Sequence, residues 1–330
     1  MSPMKTHSPL VQAIDVVIVS YNCKDALVRC LNSLRDCRDC LDLRPVVVDN
    51  ASTDGTPEAI RSEFSDVQVI KNTRNLGFAT ACNQGILSGR EDFVLLLNPD
   101  CEIGASALRQ LVDCLQQDKS AACVAPNLER ATRPVPPVYR KVVTLREFLA
   151  KMLFLDRALY RRDSRPVASD GQQADCTDKC AVSGRVVDYV VGACVLCRRL
   201  HLESVGLLDP GFFLYFEDQD LSLRLRERGF GVLFCPEATV EHAQGASADR
   251  EVERTVLESY RSLCYFFDRH KDKRSGIALR LAIALGAMIR LIVFSFMLLI
   301  GKGVEERSRI VAYRRVMREI VFGRRWNNDG

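Results

Sequence analysis

The chain has 330 residues, enough to bury a large core, and its 47% hydrophobic and 27% charged residues are the balance of a folded protein. A net charge of +4, with basic stretches that are separate and little interleaved with aromatics, argues against a nucleic-acid partner. The 14 Cys are scattered and many sit in apolar runs. No leader with a small-residue cleavage pattern surrounds Val16–Val19, so reduced thiols in a cytosolic compartment are expected.

Residues 1–14 read as a loose polar leader. Asp15 to Asn22 is a buried strand with a polar end, and a helix follows from Lys24 to about Arg35 with Leu27, Leu31 and Leu34 on one face. Pro45 to Asn50 is a second such strand, and Pro57 opens the next helix after a turn. Asp66 to Lys71 predicts a third strand. A polar, Gly-containing loop over 72–78 then leads into a helix from about Ala79 to Ser88. Phe93 to Leu97 is apolar throughout, as in a strand buried on both faces, and Asn98-Pro99-Asp100 ends it. A helix over Ala105–Gln117 follows. Strands alternating with helices predict right-handed βαβ units and a mostly parallel, Rossmann-like α/β sheet. The ends Tyr21-Asn22, Asp49-Asn50 and Asn98–Asp100 then share one edge, where ligands bind in open sheets. Asp100 alone could equally cap the next helix.

Residues 127–187 read as an insertion. It holds the Pro-rich run 133–137, a basic stretch (Arg140, Lys141, Arg146, Lys151, Arg157, Arg161, Arg162, Arg165) and a polar segment. Its charges suit either a solvated helix face or contact with an anionic acceptor or membrane. Two C-x-x-C pairs, Cys37/Cys40 and Cys194/Cys197, lie far apart, and the second sits inside a strand-like run, which disfavours a structural zinc. Within that run, Val186–Cys197, Gly192-Ala193 leave room for a ligand or a neighbouring backbone. The aromatics Phe212, Phe213, Tyr215 and Phe216 precede Glu217, Asp218 and Asp220, which open a helix to about Arg228. Three acids in four residues behind aromatics exceed what a helix dipole needs, and a carboxylate at a semi-apolar rim suits a general base. A short strand, Gly231–Phe234, follows, and then His242, which becomes a candidate metal ligand beside Asp100.

Taken in order, Val16–Asn22, Val46–Gly55, Asn75-Leu-Gly-Phe78 with Asn83, Leu97–Asp100, Val191–Ala193, Phe212–Leu221 and Pro236-Glu-Ala with His242 resemble family 2 glycosyltransferases of the GT-A fold. The likeness is to the subgroup similar to bacterial rhamnosyltransferases of cell-surface polysaccharides, and it runs from about Asp15 to Ser247. It implies that Ser20 and Tyr21 frame a nucleobase and Asp49 bonds it. Asn75, Gly77 and Asn83 would lie near the ribose and diphosphate. The D-x-D position reads Asn98-Pro99-Asp100, so one acid remains to hold Mg2+ or Mn2+ on the diphosphate, with His242 completing the metal site. Asp218 is the implied base of an inverting displacement, and Glu217 an acceptor contact or second choice. Gly192, Ala193 and Asp220 are placed on the acceptor side. The expected donor is dTDP-rhamnose and the acceptor a lipid-linked or polysaccharide hydroxyl. A UDP- or GDP-hexose donor, or a non-catalytic membrane-bound scaffold with the same fold, stays open, as does a homo-oligomer.

Residues 251–270 predict an amphipathic helix closing the catalytic domain, which is taken as 15–250. Residues 277–301 are apolar except for Arg280 and Arg290, and a basic tail follows to residue 330. The length would span a bilayer, yet an Arg inside a span is costly and the tail would lie on the wrong side for a cytosolic sugar-nucleotide pool. The reading is therefore a helix lying in the cytoplasmic leaflet of the inner membrane, peripheral or monotopic, with a crossing helix or packing on protein as alternatives.

Overall fold

The computed structural model describes residues 13–38, 41–129, 139–140, 142–145, 148, 184–243, 252–299 and 305–321. Residues 1–12 of the expected leader, the Pro-rich run and almost all of the basic insertion, along with Cys40, lie outside these, while Ala13 and Ile14, expected in the leader, begin the first strand. The chain divides into two compact units, residues 1–141, 182–213 and 217–247 in one and 142–181, 214–216 and 248–330 in the other.

The first unit is built on β1 (Ala13–Ser20), β2 (Asp42–Asp49), β3 (Gln68–Lys71) and β4 (Phe93–Leu97). These pair in parallel in the order β3-β2-β1-β4. Every residue of β4, and all of β1 after Ala13, is buried, as continuous apolar runs require when helices cover both faces. Each fully buried Val, Ile or Leu contributes about 1.5–3 kcal/mol. The covering helices are α1 (Lys24–Arg35), α2 (Thr56–Glu63), α3 (Phe78–Ser88) and α4 (Ala105–Gln117). In α1 the apolar stripe Leu27, Cys30, Leu31 and Leu34 is buried, one face of a 3.6-residue period.

The remaining strands are β5 (Cys101–Glu102), β6 (Ala121–Glu129), β7 (Tyr139–Arg140), β8 (Arg185–Val186), β9 (Tyr189–Val190), β10 (Cys194–Arg198) and β11 (Gly231–His242). They continue the sheet in the order β4-β10-β6-β11-β5, with β8 on β11, while β7 and β9 form a separate pair. β10 runs antiparallel to both β4 and β6. The expected single run over 186–197 is thus three short strands, broken where the chain bends at Val191–Ala193. Cys194 and Cys197 lie three residues apart on β10 and so point to opposite faces, which rules out a chelating pair. β11 is three times the length expected, because Pro236 and its neighbours form a bulge between Cys235 and Thr239 and pairing resumes after it. That bend carries the strand on to His242. Arg199 begins the short helix α5 (Arg199–Ser204) and pins it to the start of β1 through Asp15 at 2.7 Å. The helix α6 (Glu217–Glu227) completes the unit.

The second unit holds α7 (Val252–His270), α8 (Lys273–Leu299), α9 (Glu305–Val316) and a π-turn at Met317–Val321. The side of α8 carrying Gly276, Leu279, Ala282, Ile283, Gly286 and Ala287 is buried. Among the described residues, α8 is the one helix with the length and composition to cross a bilayer, at a mean hydropathy of 2.3.

Candidate active site

The parallel register sets Ser20 directly beside Asp49, and Ile18 beside Leu97, so the three polar strand ends share one edge. The loops behind them are tied together. Thr53 N donates to Asn22 Oδ1 at 2.8 Å, Asn22 N to Ser52 Oγ at 2.9 Å and Lys24 N to Asp54 Oδ2 at 3.0 Å. Asn22 and Ala51, just past β1 and β2, have positive φ (50° and 66°), a strained backbone of the kind that clusters at functional sites.

Asp49 is buried. Its Oδ2 accepts from Ser52 N at 3.0 Å, while Oδ1 has no hydrogen-bond partner among the described residues. Tyr21 is half-buried, but Ser20 is fully buried with its hydroxyl 3.3 Å from Cys23 Sγ, so of the two only Tyr21 can face a base.

The 72–78 loop differs more from expectation. Asn75 Oδ1 accepts from Gly77 N at 3.0 Å, which folds the turn on itself. Gly77 has φ +85°, and a Cβ there would lie 2.7 Å from the Phe213 carbonyl oxygen, which Phe78 N contacts at 2.7 Å. Its glycine is required by close packing on residue 213. Asn83 Nδ2 donates to Leu208 O at 2.7 Å and its Oδ1 accepts from Leu208 N at 3.1 Å. Both ends of that amide therefore clamp α3 to the 205–213 turn. A buried amide network that sequence reasoning missed holds the same loop. Asn50 Nδ2 donates to Gly77 O at 3.1 Å, and Asn72 Nδ2 donates to both Asn50 Oδ1 and Gln84 Oε1 at 2.8 and 2.9 Å. The one signal for it was that polar residues continue past the ends of β2 and β3.

Asp100 sits at the bend between β4 and β5. β5 pairs antiparallel with the end of β11, which sets Cys101 opposite His242, and Ala243 N bonds Asp100 O at 3.0 Å. Asp100 Oδ1 lies 3.2 Å from His242 Nε2, and both side chains are largely buried. His242 Nδ1 is buried with no partner among the described residues. The ligand atoms of Asp100, Cys101 and His242 all lie within 4.8 Å of one another.

The Gly192-Ala193 segment joins this corner to the acids of α6. Ala193 O accepts from Asn98 N at 2.8 Å, and Gly192 N donates to Asp218 Oδ2 at 3.2 Å. Asp218 Oδ1 accepts from Gln219 N at 2.8 Å, so two backbone donors fix this carboxylate. Glu217 instead turns inward, into a crevice lined by Phe78, Leu96, Val195, Leu208 and Leu221. Its Oε2 has no hydrogen-bond partner among the described residues. Burial, and then the neighbouring Asp218, pushes its carboxyl up to about 8. Asp220, expected on the acceptor side, is fully buried and bonded to Arg224 Nε at 2.7 Å. It braces α6, since Arg224 also reaches Val205 O at 2.7 Å.

The sequence profile of glycosyl transferase family 2 matches residues 15–174. The chain carries a family 2 glycosyltransferase domain. It is 28% identical over 276 residues to the N-acetylglucosaminyl-diphospho-decaprenol L-rhamnosyltransferase of Mycobacterium tuberculosis, covering 79% of this chain and 86% of the relative. It is 21% identical to the low-salt glycan biosynthesis hexosyltransferase Agl10 of Haloferax volcanii, over 77% of this chain and 73% of the relative. Among solved structures, the mannosyltransferase PcManGT of Pyrobaculum calidifontis, in complex with GDP-Man and Mn2+, superposes with a TM-score of 0.51 at 16% identity, covering 94% of this chain and 86% of that one. GalNAc-T7 with UDP, GalNAc and Mn2+ gives 0.54 at 16% identity, covering 96% and 57%. These likenesses place the glycosyltransferase in the GT-A-like class of folds.

Proposed function

We propose that this glycosyltransferase moves L-rhamnose, with inversion, from a dTDP-linked donor to a hydroxyl of a lipid-linked or polysaccharide acceptor in the synthesis of a cell-surface glycan. The observation that carries the reading is the Gly192-Ala193 segment, which binds the Asn98–Asp100 corner on one side and the Asp218 carboxylate on the other. A leaving-group corner and a base on either side of one short segment are what a single displacement needs. The choice of rhamnose and of a polyprenyl-type acceptor leans on the mycobacterial relative.

On the donor side, the partnerless Asp49 Oδ1 suits a ring N–H of a thymine, uracil or guanine base. The Asp100–His242 corner fits Mg2+ or Mn2+: two ligands at right angles on one such cation lie about 3 Å apart, and these atoms are 3.2 Å apart. A cation bound there would neutralise charge growing on the departing diphosphate. Asp218 takes the proton of the acceptor hydroxyl as that oxygen attacks the anomeric carbon, the bond to the diphosphate breaks, and configuration inverts. Glu217, which carries its proton at neutral pH, puts no second negative charge beside that base. Asn83 and Asp220 act by positioning α3 and α6. The Asp218→Asn variant should lose about 10²–10⁴-fold in turnover while a thermal shift with dTDP or dTDP-rhamnose persists. Turnover near wild type would remove Asp218 from the mechanism. A panel of UDP- and GDP-sugars in the same assay decides the donor.

The second unit supports action at the cytoplasmic face of a membrane. Ile277, Leu281, Leu285, Met288, Ile292, Phe296 and Leu299 are exposed along one side of α8. The two arginines in this run are engaged by protein: Arg280 bonds Asp268 at 2.9 Å, and Arg290 bonds Gly286 O and lies over Tyr313. With exposed Arg307, Arg309, Arg314 and Arg318 following, this suits a helix lying in an anionic leaflet. The full chain should float with vesicles containing anionic lipid, and replacing Ile292 and Phe296 by Ser should leave it in the soluble fraction. Equal flotation of that variant would count against the in-plane helix.

A further inference from the structure

The metal corner holds a third donor. Cys101 pairs with His242 across antiparallel β5 and β11, so the two side chains leave the same face of the sheet. The thiol is fully buried and donates to Ala193 O at 3.5 Å, the carbonyl that Asn98 N also bonds. Its sulfur, a carboxylate oxygen of Asp100 and an imidazole nitrogen of His242 lie within 4.8 Å of each other. Sulfur and nitrogen ligands on one tetrahedral zinc lie roughly 3.5 Å apart, against separations of up to 4.8 Å among these three atoms. Asp100 and His242 alone suit a hard or borderline cation; a thiolate adds a soft donor, which magnesium shuns and zinc or cobalt prefers.

We propose, resting on the metal reading above, that Cys101 is a third ligand and that the Asp100–Cys101–His242 corner takes up Zn2+ or Co2+ through a sulfur bond. Uptake replaces the S–H bond by a metal–sulfur bond and releases the thiol proton to solvent, with no change of oxidation state. The protein then supplies one ligand more to Zn2+ than to Mg2+ or Mn2+, so fewer coordination positions remain for a diphosphate. Zn2+ therefore competes with the activating cation and slows transfer.

Co2+ titrated into the metal-stripped full chain tests this. The wild type should develop both visible ligand-field bands and a near-ultraviolet thiolate-to-cobalt charge-transfer band. Cys101→Ala should keep visible bands, lose the near-ultraviolet band and bind Co2+ roughly 10-fold or more weakly. Its transfer with Mn2+ should resist Zn2+ better than that of the wild type. Visible bands in both proteins without a near-ultraviolet band would overturn the sulfur ligand and leave Asp100 and His242 standing. Co2+ spectra unchanged in Asp100→Ala and His242→Ala, or no Co2+ uptake at all, would overturn the metal corner together with Cys101.

Discussion

The parallel and the mixed halves of the sheet hold their polar groups differently. The ends of β1, β2 and β3 are served by the loops beside them. Asn22 bonds the turn after β2, Asn50 bonds Gly77, and Asn72 joins Asn50 to Gln84. Among the described residues, the buried Asp49 Oδ1 has no hydrogen-bond partner. In β10-β6-β11-β5, Asp100 takes His242 from far along the chain and Gly192 takes Asp218, and among the described residues buried polar atoms of His242 and Glu217 stay unmatched. A buried polar atom without a partner costs about 1–3 kcal/mol. In the proposed mechanism the first half offers Asp49 Oδ1 to the donor base and the second carries the groups beside the reacting atoms. Substitutions at Asp100 and His242 should therefore change turnover, and those in the first half should change stability and donor affinity.

The largest effect expected is at Asp100 and His242. Asp100→Ala or His242→Ala should each lower turnover by about 100-fold or more, several kcal/mol of transition-state stabilisation, and added EDTA should do the same to the wild type. Steady-state rates with and without Mn2+ read this directly. Full activity in EDTA would remove the cation, and the contrast between the halves would lose its chemical side.

Gly77→Ala probes the parallel half. A Cβ at φ +85° meets the Phe213 backbone, which α3 cannot avoid without breaking the Phe78–Phe213 hydrogen bond. The expected loss is about 2–4 kcal/mol of stability, seen as a lower Tm, with weaker binding of dTDP and a largely kept kcat at saturating donor. A kcat loss equal to that of Asp100→Ala, with Tm unchanged, would erase the distinction.

The two halves also differ in how much of them the sequence discloses. The parallel half follows from local rules: apolar runs, Pro57 at a helix start and one helical period per crossover. The limits expected for α1 and α4, Lys24–Arg35 and Ala105–Gln117, are those observed. The mixed half depends on pairings that local patterns do not encode. Nothing around Pro236 announces a bulge followed by four more paired residues, and without it His242 has no route to Asp100. Cys101 carries no local signal, because its relation to His242 exists only across two strands, β5 and β11, far apart in the chain. The separate fates of Glu217 and Asp218 were equally hidden. They are adjacent in sequence, yet Glu217 is buried while Asp218 is held by the backbone of Gly192 and Gln219.

The burial of Glu217 gives the smallest effect, one read in stability as a function of pH. The Glu217 carboxyl is raised from an ordinary 4.5 to about 8, burial being the larger cause and Asp218 the second. Between these values the folded protein holds a proton that the unfolded chain has released, so stability falls as pH rises. The contribution is complete below pH 4.5 and gone once pH passes about 8. Glu217→Gln keeps the shape and cannot ionise. Its Tm should stay close to the wild type near pH 5 and exceed it at pH 8. Repeating the pair in an Asp218→Asn background separates burial from the neighbouring charge: the gap should shrink but persist. A gap that vanishes there would assign the shift to Asp218, and a gap that widens toward acid pH would mean that Glu217 is ionised in the fold.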